Sequence, residues 1–375
     1  MLHIDMERFR EKEFMQRMKR LEYAHIQQLK NNMRDIAHLH IVYVMHQVEP
    51  YGGTKIILQH ANKLVQYGVK VTLVSHFPKP DWHPVFAEYV CVPFKNEVAE
   101  GIPDCDVIVA TSWNHINSCI ETAKAPVVFF EQGGSHLFDW DNLSTERKRI
   151  LAKMLTLPKF VFTVSINAAK LLNKIYGIQN ARVFYNALDE NIFYNKGDAR
   201  SNEPPYLLMV GSDKDEFKRI PDIVDAFEIV KREKYNLELC WITKDSPEQF
   251  YGNVYIRPDQ SVIGDLYRGA KVFVSASIYE SFSLPVLEAM ACGCPVVTTK
   301  NAGVTEYAKN NYNCIFAQKN DPQSLSQQVI RLLNDEKLYA KLSKNGVKTA
   351  KQFDWDNIIP SIIDYYKEIA MYRPI

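Results

Sequence analysis

Short, nearly continuous runs of apolar and β-branched residues recur along this chain with helical stretches between them, and this alternation constrains the fold more than any other feature. The first set is HIVYVM (40–45), KVTLVSH (70–76), DVIVATS (106–112), PVVFFEQ (126–132), FVFTVS (160–165) and ARVFYN (181–186). Strands that are apolar on both faces and separated by helices predict a parallel sheet covered on both sides. The polar, Pro-paired stretch ending in SNEPP breaks the pattern and predicts a linker at 191–204. The alternation then resumes with PYLLMVG (205–211), LELCWIT (237–243), VYIRP (254–258), VFVSAS (272–277) and PVVTTK (295–300), so a second doubly wound domain is expected.

Ahead of the first strand, Met18, Leu21, His25, Leu29, Met33 and Ile36 recur at three- and four-residue steps with no Gly or Pro among them. One helix over residues 5–36 is expected, as a helical extension spanning 1–37. The Rossmann-like domains are placed at 38–190 and 205–355, with a segment at 356–375 that pattern alone leaves unassigned. The extension suits packing on the body of the protein or against a second subunit, giving a homo-oligomer. Its weak positive balance leaves only weak peripheral membrane contact as an alternative.

The 375 residues suffice for two separate cores, and 45 basic against 44 acidic side chains give no global charge that would attract nucleic acid. The first residues are charged and lack the apolar segment of a secretory signal, and no run approaches the ~18 apolar residues of a membrane span. A cytoplasmic protein is expected, peripheral at the inner face of a membrane at most. The seven cysteines form no CxxC pair and no zinc-like spacing with His, so buried thiols and no metal are expected.

The most informative stretch is ESFSLPVLEAMACGCPVV, residues 280–297. It leaves an apolar strand, turns, and starts a helix with Pro285 in the first turn, where a missing N–H is harmless. Such a turn lies at the edge of an open α/β sheet where ligands bind. The amides of Phe282, Ser283 and Leu284, with the positive end of the helix, suit a phosphate or diphosphate. Glu280 before the turn and Glu288 inside the helix flank that seat, each able to accept hydrogen bonds from sugar hydroxyls. Taken by spacing alone, Glu288 equally suits a helix-dipole role and Glu280 a solvated turn.

The E-x7-E spacing followed by AMACGCPVV resembles the signature of family 4 retaining glycosyltransferases of the GT-B fold. NAGVTEYAKNNYNCIF, KQFDWDNI, FVFTVSINAAKLLNKIYGI and VFYNALDENIF resemble further family segments, and the likeness runs from residue 40 to 371. The resemblance implies two Rossmann-like domains facing across a cleft and a final helix crossing back to the first of them. It also implies a nucleotide-diphosphate sugar as donor, an acceptor that is a sugar, lipid-linked sugar or glycoconjugate, and no cofactor or metal. Glu280 would contact the transferred sugar, Glu288 the ribose, and the amides of 282–284 the diphosphate, with Ser281 and Ser283 standing where the family often has glycine.

By the same resemblance, Lys218 in VGSDKDEFKRI occupies the position of a diphosphate-gripping Lys, while Ser212 stands where the family usually carries an Arg. Lys214 or Arg219 could supply the missing charge by turning inward. Gly52 and Gly53 open a helix after the first strand, which suits either close approach to a ligand or a plain tight turn. Glu131, Gln132 and His136 lie where the family often has a His near the sugar, and are placed on the acceptor side. Trp113 is either a wall for a sugar face or a core residue. Asn186 is assigned to the hinge and Arg257 to the edge where the nucleobase stacks. The sequence thus points to a retaining transferase in polysaccharide or glycoconjugate synthesis. A catalytically weak sugar-binding or partner-stabilising subunit, and a nucleotide-sugar epimerase of the same fold, are the competing readings.

Overall fold

The computed structural model describes residues 2–32, 38–195 and 204–375, without the side chains of residues 2–8. In chain order the strands are β1 (Leu29–Asn31), β2 (His40–Val44), β3 (Lys70–Ser75), β4 (Glu88–Cys91), β5 (Val107–Ala110), β6 (Val127–Glu131), β7 (Phe160–Thr163) and β8 (Arg182–Val183). They continue with β9 (Tyr206–Val210), β10 (Glu238–Thr243), β11 (Asn253–Ile256), β12 (Val272–Ser275), β13 (Val296–Thr299), β14 (Ile315–Ala317) and β15 (Tyr372–Pro374). The chain divides into two compact units, one ending at Phe184 but including Ile358–Ile375, the other Tyr185–Asn357.

The first unit is built on a parallel sheet in the order β4-β3-β2-β5-β6-β7-β8, and the second on one in the order β11-β10-β9-β12-β13-β14. Both are wound alike. In each, the chain steps outward from a central strand, returns to that strand's other side and steps outward again. The winding direction therefore reverses between β2 and β5, and between β9 and β12. Open α/β sheets leave a ligand-sized crevice at the carboxyl ends of such a strand pair.

The double-sided burial expected of these strands is present. Ile41, Val42, Tyr43 and Val44 of β2 are all fully buried, each gaining ~1.5–3 kcal/mol on leaving water. In the second unit Trp241 is fully buried and its indole N–H donates to the Gly211 carbonyl at 2.7 Å. That bond ties the end of β9 to β10 and fixes where the following loop begins.

The amino-terminal expectation needs correction. The helix runs only over Leu2–Leu21, the chain turns at Tyr23 and Ala24, and β1 follows. Gln27 explains the break: its amide donates to the Ala125 carbonyl at 3.1 Å and accepts from the Val127 N–H at 2.9 Å, pairing a side chain with the start of β6. A helix continued past residue 21 would forfeit those bonds, and with them the antiparallel pairing of β1 with β15. Met33 and Ile36, which suggested the longer helix, and residues 196–203 of the expected linker lie outside the described residues.

Sequence pattern also missed β4 and β15, and the run at 181–186 shrinks to the two residues of β8. The segment left unassigned by pattern is a helix, Trp355–Ala370, which joins the first unit from Ile358 onward. Its Tyr366 hydroxyl lies 2.8 Å from that of Tyr43, both rings buried. Among the described residues no helix is long and apolar enough to cross a membrane.

Candidate active site

At the crevice between β9 and β12, the loop after β12 carries Glu280 to Ser283 and leads into the helix Leu284–Ala291. Among the described residues nothing accepts a hydrogen bond from the amides of Phe282, Ser283 or Leu284, as befits an uncapped helix start. Ser283 caps this helix in the left-handed conformation, at φ 64°, so serine adopts here the backbone that glycine takes most cheaply.

The turn is held from behind. Gly303 lies so close that a Cβ placed on it would come 2.5 Å from the Phe282 nitrogen and 2.7 Å from the Glu280 carbonyl oxygen. The Phe282 ring is buried among Tyr185, Tyr307 and Phe353, with ring centres 5.4–5.8 Å away. The Tyr307 hydroxyl donates to the Ser283 carbonyl at 2.6 Å. Aromatic packing and a glycine contact therefore fix the amides before any ligand arrives.

A second loop, after β9, is latched to the first. The Ile278 N–H donates to the Phe217 carbonyl at 2.9 Å, and the rings of Phe217 and Tyr279 stack at 4.8 Å. This latch brings Lys218 Nζ to 2.7 Å from Glu280 Oε1, with both side chains mostly buried. From the resemblance Glu280 was expected on the transferred sugar and Lys218 on the diphosphate; here the two form one ion pair.

Glu288 is buried at 6% exposure, and accepts a hydrogen bond from the fully buried Tyr267 hydroxyl at 3.1 Å. Burial and the adjacent Glu288 carboxylate both push the Tyr267 hydroxyl well above its ordinary range, so it stays a donor.

Neither residue expected to replace the missing Arg turns inward. Arg219 makes a two-pronged contact with Asp222 at 2.7 and 3.0 Å, and Lys214 is exposed. Ser212 is buried and its hydroxyl donates to Asp245 at 2.8 Å, so the position resembling the family's Arg carries a serine and an acid. Neighbouring Lys244 pairs with Asp215 at 2.9 Å, and Arg257 is exposed with its Nε donating to the Lys244 carbonyl at 2.6 Å. Asp245 and Lys244 were not singled out in the sequence, because nothing in TKDSPE marks them before β9 and β10 are paired.

In the first unit, Gly52 and Gly53 begin the helix Gly52–Gln66, with the Gln132 side-chain amide in contact distance of Gly53. Glu131 and His136 do not stand as open ligands. Both are buried and lie 3.0 Å apart, and Glu131 also accepts the Gly133 and Gly134 amides at 2.6 and 2.8 Å. Burial raises the Glu131 pKa, but His136 and the two amides outweigh it and the net shift is downward. This knot shapes the loop after β6. Trp113, read as either a wall for a sugar or a core residue, has the Arg147 guanidinium over its ring at 4.3 Å and Phe14 at its edge, so that face is covered by protein. Asn186 is buried with an unpartnered Oδ1 among the described residues. Among those residues no group of three or more His, Cys, Asp or Glu is placed to hold a metal ion.

Two parallel, doubly wound sheets with the loop-to-helix turn at the second reversal point define the GT-B class of glycosyltransferase fold. Residues 193–349, which lie within the second unit, match the family described as Glycosyl transferases group 1. An uncharacterized glycosyltransferase of Methanocaldococcus jannaschii is 26% identical over 201 residues, 51% of this chain and 54% of that protein. The O-antigen chain mannosyltransferase B of Escherichia coli is 36% identical over 177 residues, 43% of this chain and 45% of its own length. The matches thus span about half the length of these relatives. Anabaena HepE, solved in complex with UDP-glucose, superposes with a TM-score of 0.74 at 18% identity, over 88% of this chain and all of that one.

Proposed function

We propose that the chain transfers a sugar from a nucleotide-diphosphate donor to an acceptor hydroxyl with retention of anomeric configuration. The observation that carries this reading is the turn at 280–284: fixed, unpartnered amides at a helix start, Lys218 paired with Glu280 at one side and buried Glu288 at the other. The leaving group is a diphosphate, and its departure needs positive charge aimed at the phosphates. Amides fixed by Gly303 and Tyr307 supply part of it without reorganisation, and Lys218 supplies a full charge.

Binding shifts the Lys218 ammonium from Glu280 toward the diphosphate. Glu280 is then left to accept hydrogen bonds from hydroxyls of the transferred sugar, while Glu288, pinned by Tyr267, accepts from the ribose. In the retaining reaction proposed here the acceptor hydroxyl attacks on the face that the diphosphate leaves. The bond from the anomeric carbon to the phosphate oxygen breaks, the bond to the acceptor oxygen forms, and the acceptor's proton passes to the departing diphosphate. The protein contributes position and charge, and the proposal uses no metal and no cofactor. The UDP-glucose bound by HepE and the mannosyl transfer named for the Escherichia coli relative support a nucleotide-sugar donor and an assembly role in polysaccharide or glycoconjugate synthesis.

A thermal-shift panel of uridine, guanosine, thymidine and adenosine diphosphate sugars, followed by NMR of the product anomer, tests the reading. Stabilisation by one donor and a retained anomer are expected, whereas an inverted product or indifference to every donor overturns it. One observation favours a catalytically weak subunit instead: the position resembling the family's Arg carries Ser212, hydrogen-bonded to the acid Asp245, and supplies no positive charge. Donor binding without transfer to any acceptor would select that alternative.

A further inference from the structure

The reversal point of the first sheet, at the carboxyl ends of β2 and β5, is lined by His46 and His115 and reached by Arg10 and Arg17 of the helix Leu2–Leu21. Arg10 donates from one nitrogen to His46 Nε2 and to the His46 carbonyl, both at 3.1 Å. His46 Nδ1 lies 3.1 Å from Nε2 of the buried His115. An arginine can only donate, so its contact decides both tautomers. His46 Nε2 must accept, His46 Nδ1 carries the proton and donates to His115 Nε2, and the His115 proton therefore sits on Nδ1.

That His115 Nδ1 is buried and has no partner among the described residues, and the same holds for Nε of Arg17, itself only 3% exposed. Leaving a buried donor unmet costs ~1–3 kcal/mol, and Arg17 lies near enough to His115 to act on its charge, so the two unmet donors imply an acceptor that completes them. The charged and titratable groups around the pair are Arg10, Arg17, Glu13 and His76. Glu13 is committed to Arg17 at 2.7 Å, with His76 3.5 Å away, so among the described side chains Arg10 has no carboxylate of its own beside the two neutral imidazoles. Arg10 and His46 are half-buried, so the cluster opens to solvent at that side.

We propose that the amino-terminal helix and the reversal point of the first sheet together form a binding site for a phosphate group, held by Arg10 and Arg17 with His115 as a further donor. This site belongs to the first unit, and the diphosphate seat at Ser283 to the second. Two sources supply the same chemistry: a phosphorylated acceptor, an assignment that rests on the transferase reading, or free phosphate acting as an effector.

The test follows the ring signals of His46 by NMR in the full chain, across pH, with inorganic phosphate and separately with a phosphorylated monosaccharide. Burial, then Arg10 and Arg17, lower the His46 pKa to about 4. A bound dianion reverses the sign of the local charge and raises it by at least one unit, a ~10-fold change in the protonation equilibrium. The phosphate-dependent rise is expected to disappear in Arg10→Gln and to be weakened in Arg10→Lys, which keeps the charge but loses the planar fork. Retained exchange protection at Met18 and Leu21 shows that the helix is still docked in both variants.

Lys218→Ala is expected to leave the effect intact, since Lys218 belongs to the second unit. Tighter binding of the sugar phosphate by ~10-fold or more assigns the site to an acceptor, and equal binding assigns it to free phosphate. No movement of His46 with either probe, a rise that survives Arg10→Gln, or one abolished by Lys218→Ala overturns the proposal. If no donor is ever transferred and the His46 response persists, the transferase reading falls while the phosphate site stands.

Discussion

Lys218 and Glu280 meet at 2.7 Å across two loops that leave different strands of the second sheet, and each side chain is mostly shielded from water. An ion pair so placed is a poor source of stability, because desolvating both charges offsets most of their attraction. It is better suited to hold both groups in place until a donor separates them. Lys218→Ala is expected to weaken nucleoside-diphosphate binding by ~10–100-fold, the range for a charge-assisted contact. Glu280→Gln should leave that affinity equal or tighter, because Lys218 is freed, while transfer falls by at least ~100-fold. Calorimetry and turnover separate the two effects, and parallel losses of binding in both variants would contradict the arrangement.

Glu288 serves two partners in the proposed scheme, and two substitutions distinguish them. Glu288→Gln keeps an oxygen for the Tyr267 hydroxyl, so the melting temperature is expected to stay within a degree or two while the donor KM rises by ~10-fold or more. Glu288→Ala strands a buried hydroxyl, a loss of ~1–3 kcal/mol that appears as a lower melting temperature as well. An unchanged KM in the Gln variant would remove Glu288 from the ribose.

The backbone of the phosphate seat can be probed without touching a charged group. Gly303→Ala puts a methyl 2.5 Å from the Phe282 nitrogen, and a backbone atom cannot yield as a side chain can. The turn must shift, and donor affinity is expected to drop by ~10-fold or more, since positioned amides lose their value within an ångström. Ser283→Gly acts in the opposite sense on stability. Relief of the left-handed strain, ~1–2 kcal/mol, is partly cancelled by the freedom glycine gains in the unfolded chain. A small rise in melting temperature with little change in donor binding is expected.

How much of this was legible in the sequence follows the range of the interactions. Most strands of the two large sheets, though not β4 or β14, and the turn at 280–284 were readable because apolar runs, Pro285 and the E-x7-E spacing are local signals. Lys218 and Glu280 were readable singly, but their pairing depends on the latch between Phe217 and Ile278, 61 positions apart in sequence. The contact between Glu131 and His136 was not legible for a related reason. Gly134 leaves room for the His136 ring, whose Nδ1 would lie 2.6 Å from a Cβ there, and that knot closes only once the loop after β6 is folded. The amino-terminal helix ended early because Gln27 found partners on β6, nearly a hundred residues away.

The docking of that helix carries a pH dependence whose sign can be worked out. His46 is neutral in the folded protein because burial comes first among the causes that lower its pKa, followed by Arg10 and Arg17, to about 4 from 6.5. Burial lowers His115 further, with His46 itself adding to the effect. Undocking returns both rings to water, where they bind protons below about pH 6.5. Between pH 6.5 and 4 the undocked state therefore holds more protons, so docking is stabilised in full above 6.5 and weakens as pH falls toward 4. For His46 alone the slope amounts to about 2 kcal/mol between pH 7 and 5. Arg20, bound to Glu97 at 2.7 Å and Glu121 at 3.0 Å, is not among the charges that act on the two imidazoles and is expected to hold the carboxyl end of the helix through that range. Hydrogen exchange at residues 9–17 is thus expected to accelerate by ~10-fold or more between pH 7 and 5, after correction for the intrinsic rate, while residues 18–21 change less. His46→Gln should flatten the dependence, and an equal pH response in that variant would show that the imidazole is not what the helix senses.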